Sequence, residues 1–332
     1  MEVMRIFMVA LVLALHGTET LSSVDHGPLA VDYYKESCPL VEDIVRRSVQ
    51  TAVFKDPRMA ASLLRLHFHD CFVMGCDGSV LLDSEGSIVS EKGAGPNVNS
   101  LRGFEVIDEI KYLLEEACPY TVSCADILAI AARDAVVLGG GPGWDVSLGR
   151  RDSMKASFSG ANQLIPAPNS SLETLVANFQ QHGLDVSDLV ALSGSHTIGK
   201  ARCLSFRQRA HDVSTQDHDP YKRYTSFRRI LRSICPKSGK DNKSAPLDFT
   251  TPARFDNHYY LNILQGEGLL GSDDVLVTQD HGGEIKAQVW AYASNQHLFF
   301  AGFAKSMVKM GNINVLTGND GEIRRNCRFL NS

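Results

Sequence analysis

The sequence predicts a mainly α-helical fold, a single domain of two lobes with few, short strands. Three observations lead there. Apolar residues recur at intervals of three and four along most of the chain, the spacing that gathers them on one face of a helix. Alternating strand-type runs are few and short. No internal repeat or low-complexity linker divides the 332 residues, so the helices belong to one body.

In chain order, Ile6 to Leu15 are ten apolar residues preceded by Arg5 and followed by polar His16-Gly-Thr-Glu-Thr20. That run is too short to span a bilayer and has the layout of a secretory signal. Residues 1–23 are read as that signal, with cleavage between Thr18 and Ala30; a buried N-terminal helix is the other reading. The domain is then 31–331. Val41 to Val53 sets Val41, Ile44, Val45, Val49 and Val53 on one stripe, and Ala60 to Phe72 continues with Ala61, Leu64, Phe68 and Phe72. Phe104 to Ala117 and alanine-rich Cys124 to Leu138 follow, the second apolar on most sides and hence central. Gly139-Gly-Gly-Pro-Gly143 breaks the helical run. Further helices are expected at Leu172–His182, Val186–Leu192, Thr197–Ala210, Tyr221–Ile234, Asn257–Leu264, Gly282–Asn295 and Leu298–Lys309.

Composition narrows the function. The net charge is −5 and no Lys/Arg run stands out, which argues against nucleic acid or another polyanionic partner. No later apolar run approaches membrane length, so the mature protein is expected to be soluble and free of the membrane. Eight cysteines behind a signal read as four disulfides whose pairing the sequence leaves open. Paired CxxC groups are lacking, which leaves a structural zinc site as the weaker alternative. Asn169-Ser-Ser and Asn242-Lys-Ser are glycosylation sequons.

The most informative segment is Arg65-Leu-His-Phe-His-Asp-Cys-Phe72, answered downstream by Leu192-Ser-Gly-Ser-His-Thr-Ile-Gly199. Arg65 and His69 are four residues apart and share a helix face, which pairs a permanent cation with a titratable base. His196 stands alone in a small-residue turn that can approach a metal. A base and a cation facing a metal-bound oxidant are what cleavage of a peroxide O–O bond requires. His67 projects from another face and reads as structural. A zinc or copper site at His67, His69 and Cys71 is the competing reading, though histidines at i and i+2 diverge on a helix.

Together the two segments resemble the secreted plant (class III) haem peroxidases, from about Tyr33 to Asn331. The resemblance implies one haem b between a distal and a proximal lobe. His69 would be the proton acceptor and Arg65 the transition-state stabiliser. Asn97, supported by Glu91, would orient His69, and Phe68 would cap the haem edge. His196 would be the axial iron ligand, with Asp273 on its outer nitrogen; Asp274 is the neighbour most easily confused with it. Leu247 stands where cytosolic relatives carry a tryptophan, and neither Trp144 nor Trp290 aligns with that place. The oxidising equivalent is therefore expected on the porphyrin.

Two Ca²⁺ sites follow by the same resemblance: Asp70, Val73, Gly75, Asp77 and Ser79 for one, and Thr197, Asp248, Thr251, Arg254 (through its carbonyl) and Asp256 for the other. Their oxygens suit a hard cation, although acidic surface turns are the blander reading. The implied disulfides are Cys38–Cys118, Cys71–Cys76, Cys124–Cys327 and Cys203–Cys235. Pro166 matches the donor channel, and Asp126 with Arg150 reads as a structural ion pair. Ser205 and Gly95 stand where relatives carry aromatic residues, a departure that bears on donor preference. The implied activity is one-electron oxidation of phenolic donors by hydrogen peroxide, with wall phenolics such as lignin precursors as plausible donors. Lignification, peroxide removal and the oxidative stress response would follow, in a monomer secreted to the cell wall. A metal-dependent hydrolase and a non-catalytic wall protein remain the other classes.

Overall fold

The computed structural model describes residues 29–211 and 223–332. The expected signal segment 1–23, most of its expected cleavage window and the expected helix start at Tyr221 lie outside them. Thirteen α-helices occur among the described residues: α1 Val41–Lys55, α2 Met59–Cys71, α3 Phe104–Ala117, α4 Cys124–Leu138, α5 Phe158–Leu164, α6 Leu172–Gln181, α7 Val186–Ser193, α8 Cys203–His211, α9 Arg223–Ile234, α10 His258–Leu264, α11 Gly271–Thr278, α12 Glu284–Ser294 and α13 Gln296–Gly311. Two three-residue strands complete the fold, β1 Lys200–Arg202 and β2 Ser244–Pro246.

Side chains on the preceding turns start several of these helices. The Ser123 hydroxyl accepts from Asp126 N–H at α4, Ser171 from Thr174 N–H at α6, and Asn295 from Leu298 N–H at α13. Asp185 and Asp188 cap α7 reciprocally. Each such cap stabilises its helix by about 1 kcal/mol. The alanines of α4 let neighbours close in from all sides, and twelve of its fifteen residues are buried. It packs against α1, α2 and α3. A second group forms around α7, α10, α11, α12 and α13, and α13 also touches α2. These are the two lobes.

The expected helix over Thr197–Ala210 is not continuous. Gly194–Thr197 is a 3-10 turn, Ile198 is extended, and Gly199 takes φ +99 before β1. A left-handed residue cannot continue a helix. Helices α5 and α11 were not expected. Both are short, and α11 opens with polar Gly-Ser-Asp-Asp, which carries no apolar stripe.

β1 and β2 run antiparallel, with Lys200 opposite Pro246 and Arg202 opposite Ser244. This pairing lays the chain after Ser244 alongside the His196 turn. The four disulfides join Cys38 to Cys118, Cys71 to Cys76, Cys124 to Cys327 and Cys203 to Cys235. Cys124 and Cys327 are 203 residues apart, against 5 for Cys71 and Cys76. Loop-closure entropy gives the first about 5 kcal/mol and the second about 2 kcal/mol.

Candidate active site

Arg65 and His69 lie one turn apart on α2, and the loop after the 3-10 turn Glu91–Gly93 closes over both. His69 Nδ1 is 2.6 Å from Asn97 Oδ1. The amide oxygen can only accept, so Nδ1 carries the proton and Nε2 is left as the base. Asn97 is itself fixed, donating through Nδ2 to Glu91 O at 2.8 Å. Burial, and next the Arg65 charge, push the His69 pKa well below the ordinary histidine value, against the opposing Asn97 bond. A neutral imidazole results, ready to take a proton. Arg65 donates to Pro96 O at 3.0 Å and to Ser100 Oγ at 3.2 and 3.3 Å. Burial lowers its pKa to about 10, with Arg202 contributing, which leaves it a cation at neutral pH.

Glu91 supports this arrangement through its main chain. Its main-chain oxygen, not its carboxylate, holds Asn97. The carboxylate accepts from Ser157 N–H at 2.9 Å, and burial raises its pKa to about 7. Phe68 meets His69 edge-on at 5.3 Å and Phe72 at 4.4 Å.

The turn after α7 carries His196. Its Nδ1 is 2.8 Å from Asp273 Oδ1, and no group among the described residues bonds Nε2. The side chain is 36% exposed although Asp273 is 3% exposed. Such a histidine offers one nitrogen to a metal while the other stays anchored. Asp273 sits in the first turn of α11, and its Oδ2 accepts Leu270 N–H at 3.1 Å. Asp274 points elsewhere, 2.8 Å from Arg209 Nη2. The two lobes meet closely here: a side chain on Gly199 would come within 2.9 Å of Ala61 Cβ, one turn before Arg65. Leu247 donates its N–H to Gly199 O at 3.0 Å, beside the same turn.

Two groups of oxygens flank these histidines. Asp70, Val73, Gly75, Asp77 and Ser79 are all buried. Asp70 accepts Gly78 N–H at 2.9 Å, and Asp77 accepts Ser79 N–H at 3.0 Å. Burial raises both carboxyl pKa values, and Asp77 adds to the rise at Asp70. Ser79 Oγ and Glu91 Oε2 are buried with no well-formed hydrogen bond. Gly75 takes φ +132, and any side chain there would run into Asn314.

In the other group, Thr197 Oγ1 lies 3.4 Å from Asp248 Oδ2 and 3.3 Å from Asp256 Oδ1. Thr251 Oγ1 lies 3.3 and 3.0 Å from the same two oxygens. Two hydroxyl protons cannot serve four such contacts, and Asp256 Oδ2 has no hydrogen bond, only exposed Arg254 Nε at 3.8 Å. Arg254 closes the turn, its N–H on Thr251 O at 3.0 Å. Both groups hold surplus buried acceptors, the donor set of a hard cation.

His67 is apart from this chemistry. It is 2% exposed, its Nδ1 3.6 Å from Cys71 Sγ, and burial takes its pKa to about 3. It lines a cavity of about 10 Å³ with Arg150 and Trp144. His67, Cys71 and Cys76 lie close enough together to suggest a metal site. Both sulfurs are in the disulfide, however, and offer no thiolate. Arg150 Nη1 meets buried Asp126 at 2.8 Å. Pro166 lies in the loop between α5 and α6, which is tied to α11 by Ser272 N–H on Pro168 O at 2.9 Å. Gly95 N–H donates to Asn162 Oδ1 at 2.9 Å, and Ser205 lies half-buried on α8. Sequence reasoning passed over Ser100 and Pro96, which hold Arg65, and Arg209, which separates Asp274 from Asp273. Their partners are 31 to 65 residues away, and no local pattern announces them.

The peroxidase family profile matches residues 45–295. Peroxidase 20 of Arabidopsis thaliana is 64% identical over 323 residues, 96% of either chain. Peroxidase 9 of the same plant is 56% identical over 306 residues, 92% of this chain and 88% of that one. Peroxidase 72 is 55% identical over 305 residues, 92% and 90%. These matches extend over α2 and over the His196 turn, the two places where the site's histidines stand. The chain belongs to the peroxidase family, with the plant class III haem peroxidases.

Proposed function

We propose that this peroxidase is a secreted monomer that holds one haem b and two Ca²⁺ ions and oxidises phenolic donors, wall phenolics such as lignin precursors among them. Residues 1–23 would be its secretory signal and 31–331 its domain. The observation that carries the reading is the pair of anchored histidines, one on α2 and one in the turn after α7. His69 is fixed through Nδ1 by Asn97 and His196 by Asp273, and among the described residues no hydrogen bond engages either Nε2.

His196 would bind the haem iron, and Phe68 would cover the haem edge. Bound there, haem supplies the redox chemistry between peroxide and donor. The protein's part is proton movement and charge stabilisation. His69 Nε2 takes the proton from one peroxide oxygen and returns it to the other. Arg65, held by Pro96 and Ser100, stabilises negative charge on the departing oxygen. Asp273 draws on the His196 Nδ1 proton and makes the ligand electron-rich. Asp70, Val73, Gly75, Asp77 and Ser79 would hold one Ca²⁺. Thr197, Asp248, Thr251, Arg254 and Asp256 would hold the second. Pro166 would border the donor channel.

An absorption spectrum of the purified protein tests the reading. A histidine-ligated Soret band that changes on adding hydrogen peroxide, and recovers as a phenol is consumed, is expected. A protein without a Soret band, or one indifferent to peroxide, overturns it.

The proximal pair gives a sharper result. Asp273→Asn should retain haem and raise the Fe(III)/Fe(II) potential, because a less electron-rich histidine stabilises ferric iron less. Asp274→Asn should leave the potential in place, since Asp274 pairs with Arg209. A potential that follows Asp274 refutes the assignment.

A further inference from the structure

Asp273 has a third hydrogen-bond partner that neither the signature segments nor the family match assigns. Tyr259, on α10, directs its hydroxyl to Asp273 Oδ1 at 3.1 Å, the same oxygen that accepts His196 Nδ1–H at 2.8 Å. Its ring is 2% exposed and meets the His196 ring edge-on, with centroids 6.3 Å apart and planes at 78°.

We propose that Tyr259 is a positioning residue that sets how strongly Asp273 pulls on the His196 proton, and through it the electron-donating power of the iron ligand. This rests on the proposed roles of His196 and Asp273. Two donors on one carboxylate oxygen share its negative charge, so each weakens the bond the other makes. The tyrosine hydroxyl therefore competes with the imidazole N–H. A phenol has one O–H to donate, and Tyr259 directs it at Asp273 Oδ1. Ring and hydroxyl have separate tasks. The ring edge orients the imidazole, and the O–H limits the pull on its proton. The N–H of Leu270 bonds the other oxygen, Oδ2, at 3.1 Å and leaves Oδ1 to these two donors.

Tyr259→Phe keeps the ring and removes the competitor. Asp273 should then draw harder on His196, and the Fe(III)/Fe(II) equilibrium should move toward ferric about fivefold, the worth of one ordinary hydrogen bond. The potential falls, opposite in sign to Asp273→Asn. In resonance Raman spectra of the ferrous protein, the iron–histidine stretch should rise. Combined with Asp273→Asn, the tyrosine substitution should add little, since the shared acceptor is already weakened. If Tyr259→Phe fails to fold, fluorotyrosine placed at position 259 is a stronger donor of the same shape and should shift both readings the other way. An unchanged or raised potential in Tyr259→Phe, with the histidine-ligated spectrum intact, overturns this inference alone. Loss of histidine ligation in the unaltered protein overturns the proximal reading and this one together.

Discussion

His69→Ala should slow the reaction with hydrogen peroxide by about four powers of ten, or about 5 kcal/mol of barrier. The size follows from what the side chain does in its place. His69 is the base one turn along α2 from Arg65, and the Asn97 bond holds its Nδ1 and leaves Nε2 for the proton. Alanine removes the proton carrier and its orientation at once, and a water cannot inherit either. Arg65→Leu should cost less, about a hundredfold, because it removes charge stabilisation and leaves the shuttle. The reaction also has a pH signature. The base is active when neutral, so the rate should fall as pH drops through the folded pKa of His69. Burial and Arg65 place that value well below the ordinary one, and activity should therefore persist into mildly acidic solution. Stopped-flow absorption measures all three. Near-normal kinetics in His69→Ala would refute the assignment.

Removing Ca²⁺ should be the next largest effect. The first loop continues directly from the helix bearing Arg65 and His69, and Thr197 directly follows His196. In the first loop, the Asp77 charge adds to the rise at Asp70, and in the second, Asp248 and Asp256 face the same two hydroxyls. Without a cation these groups repel, the loops loosen, and both histidines move. Misplacement by about 1 Å costs on the order of a hundredfold in rate. Prolonged chelation should lower activity and thermal stability together while haem stays bound, with recovery on adding Ca²⁺. Asp77→Ala should reproduce the loss at the first loop alone.

The sign of the pH dependence follows from the same shifts. In the chelated protein the Asp70 and Asp77 pKa values are raised above their unfolded values. Their contribution to stability is therefore present below the unfolded pKa and is lost as pH rises through the folded ones. The chelated protein should be less stable at neutral than at mildly acidic pH, and bound Ca²⁺ should reverse the order. Elemental analysis beside the activity assay decides the matter: full activity in calcium-free protein rejects the role.

Much of this molecule is legible from local pattern. The apolar spacing of Val41 to Val53 and Ala60 to Phe72 marks α1 and α2 because a helix must bury one face, whatever it packs against. The same spacing, i to i+4, sets Arg65 and His69 on one side of α2, so the cation–base pair exists before any tertiary contact. The small residues around His196 mark a turn for a similarly local reason. Tertiary structure decided the rest. Gly199 takes a left-handed conformation and pairs its strand with β2, which ends the helix expected over Thr197–Ala210 and sets Asp248 beside Thr197. Helix α11 is stable without an apolar stripe because its neighbours α10, α12 and α6 cover it. Asp273 differs from Asp274 through partners 77 and 65 residues away, His196 for the one and Arg209 for the other. Tyr259 reaches Asp273 across 14 residues from another helix. Periodicity reports which face of an element is buried. Which residue meets which across the core is set by packing and by the pairing of buried donors and acceptors, and these form only when the chain is closed.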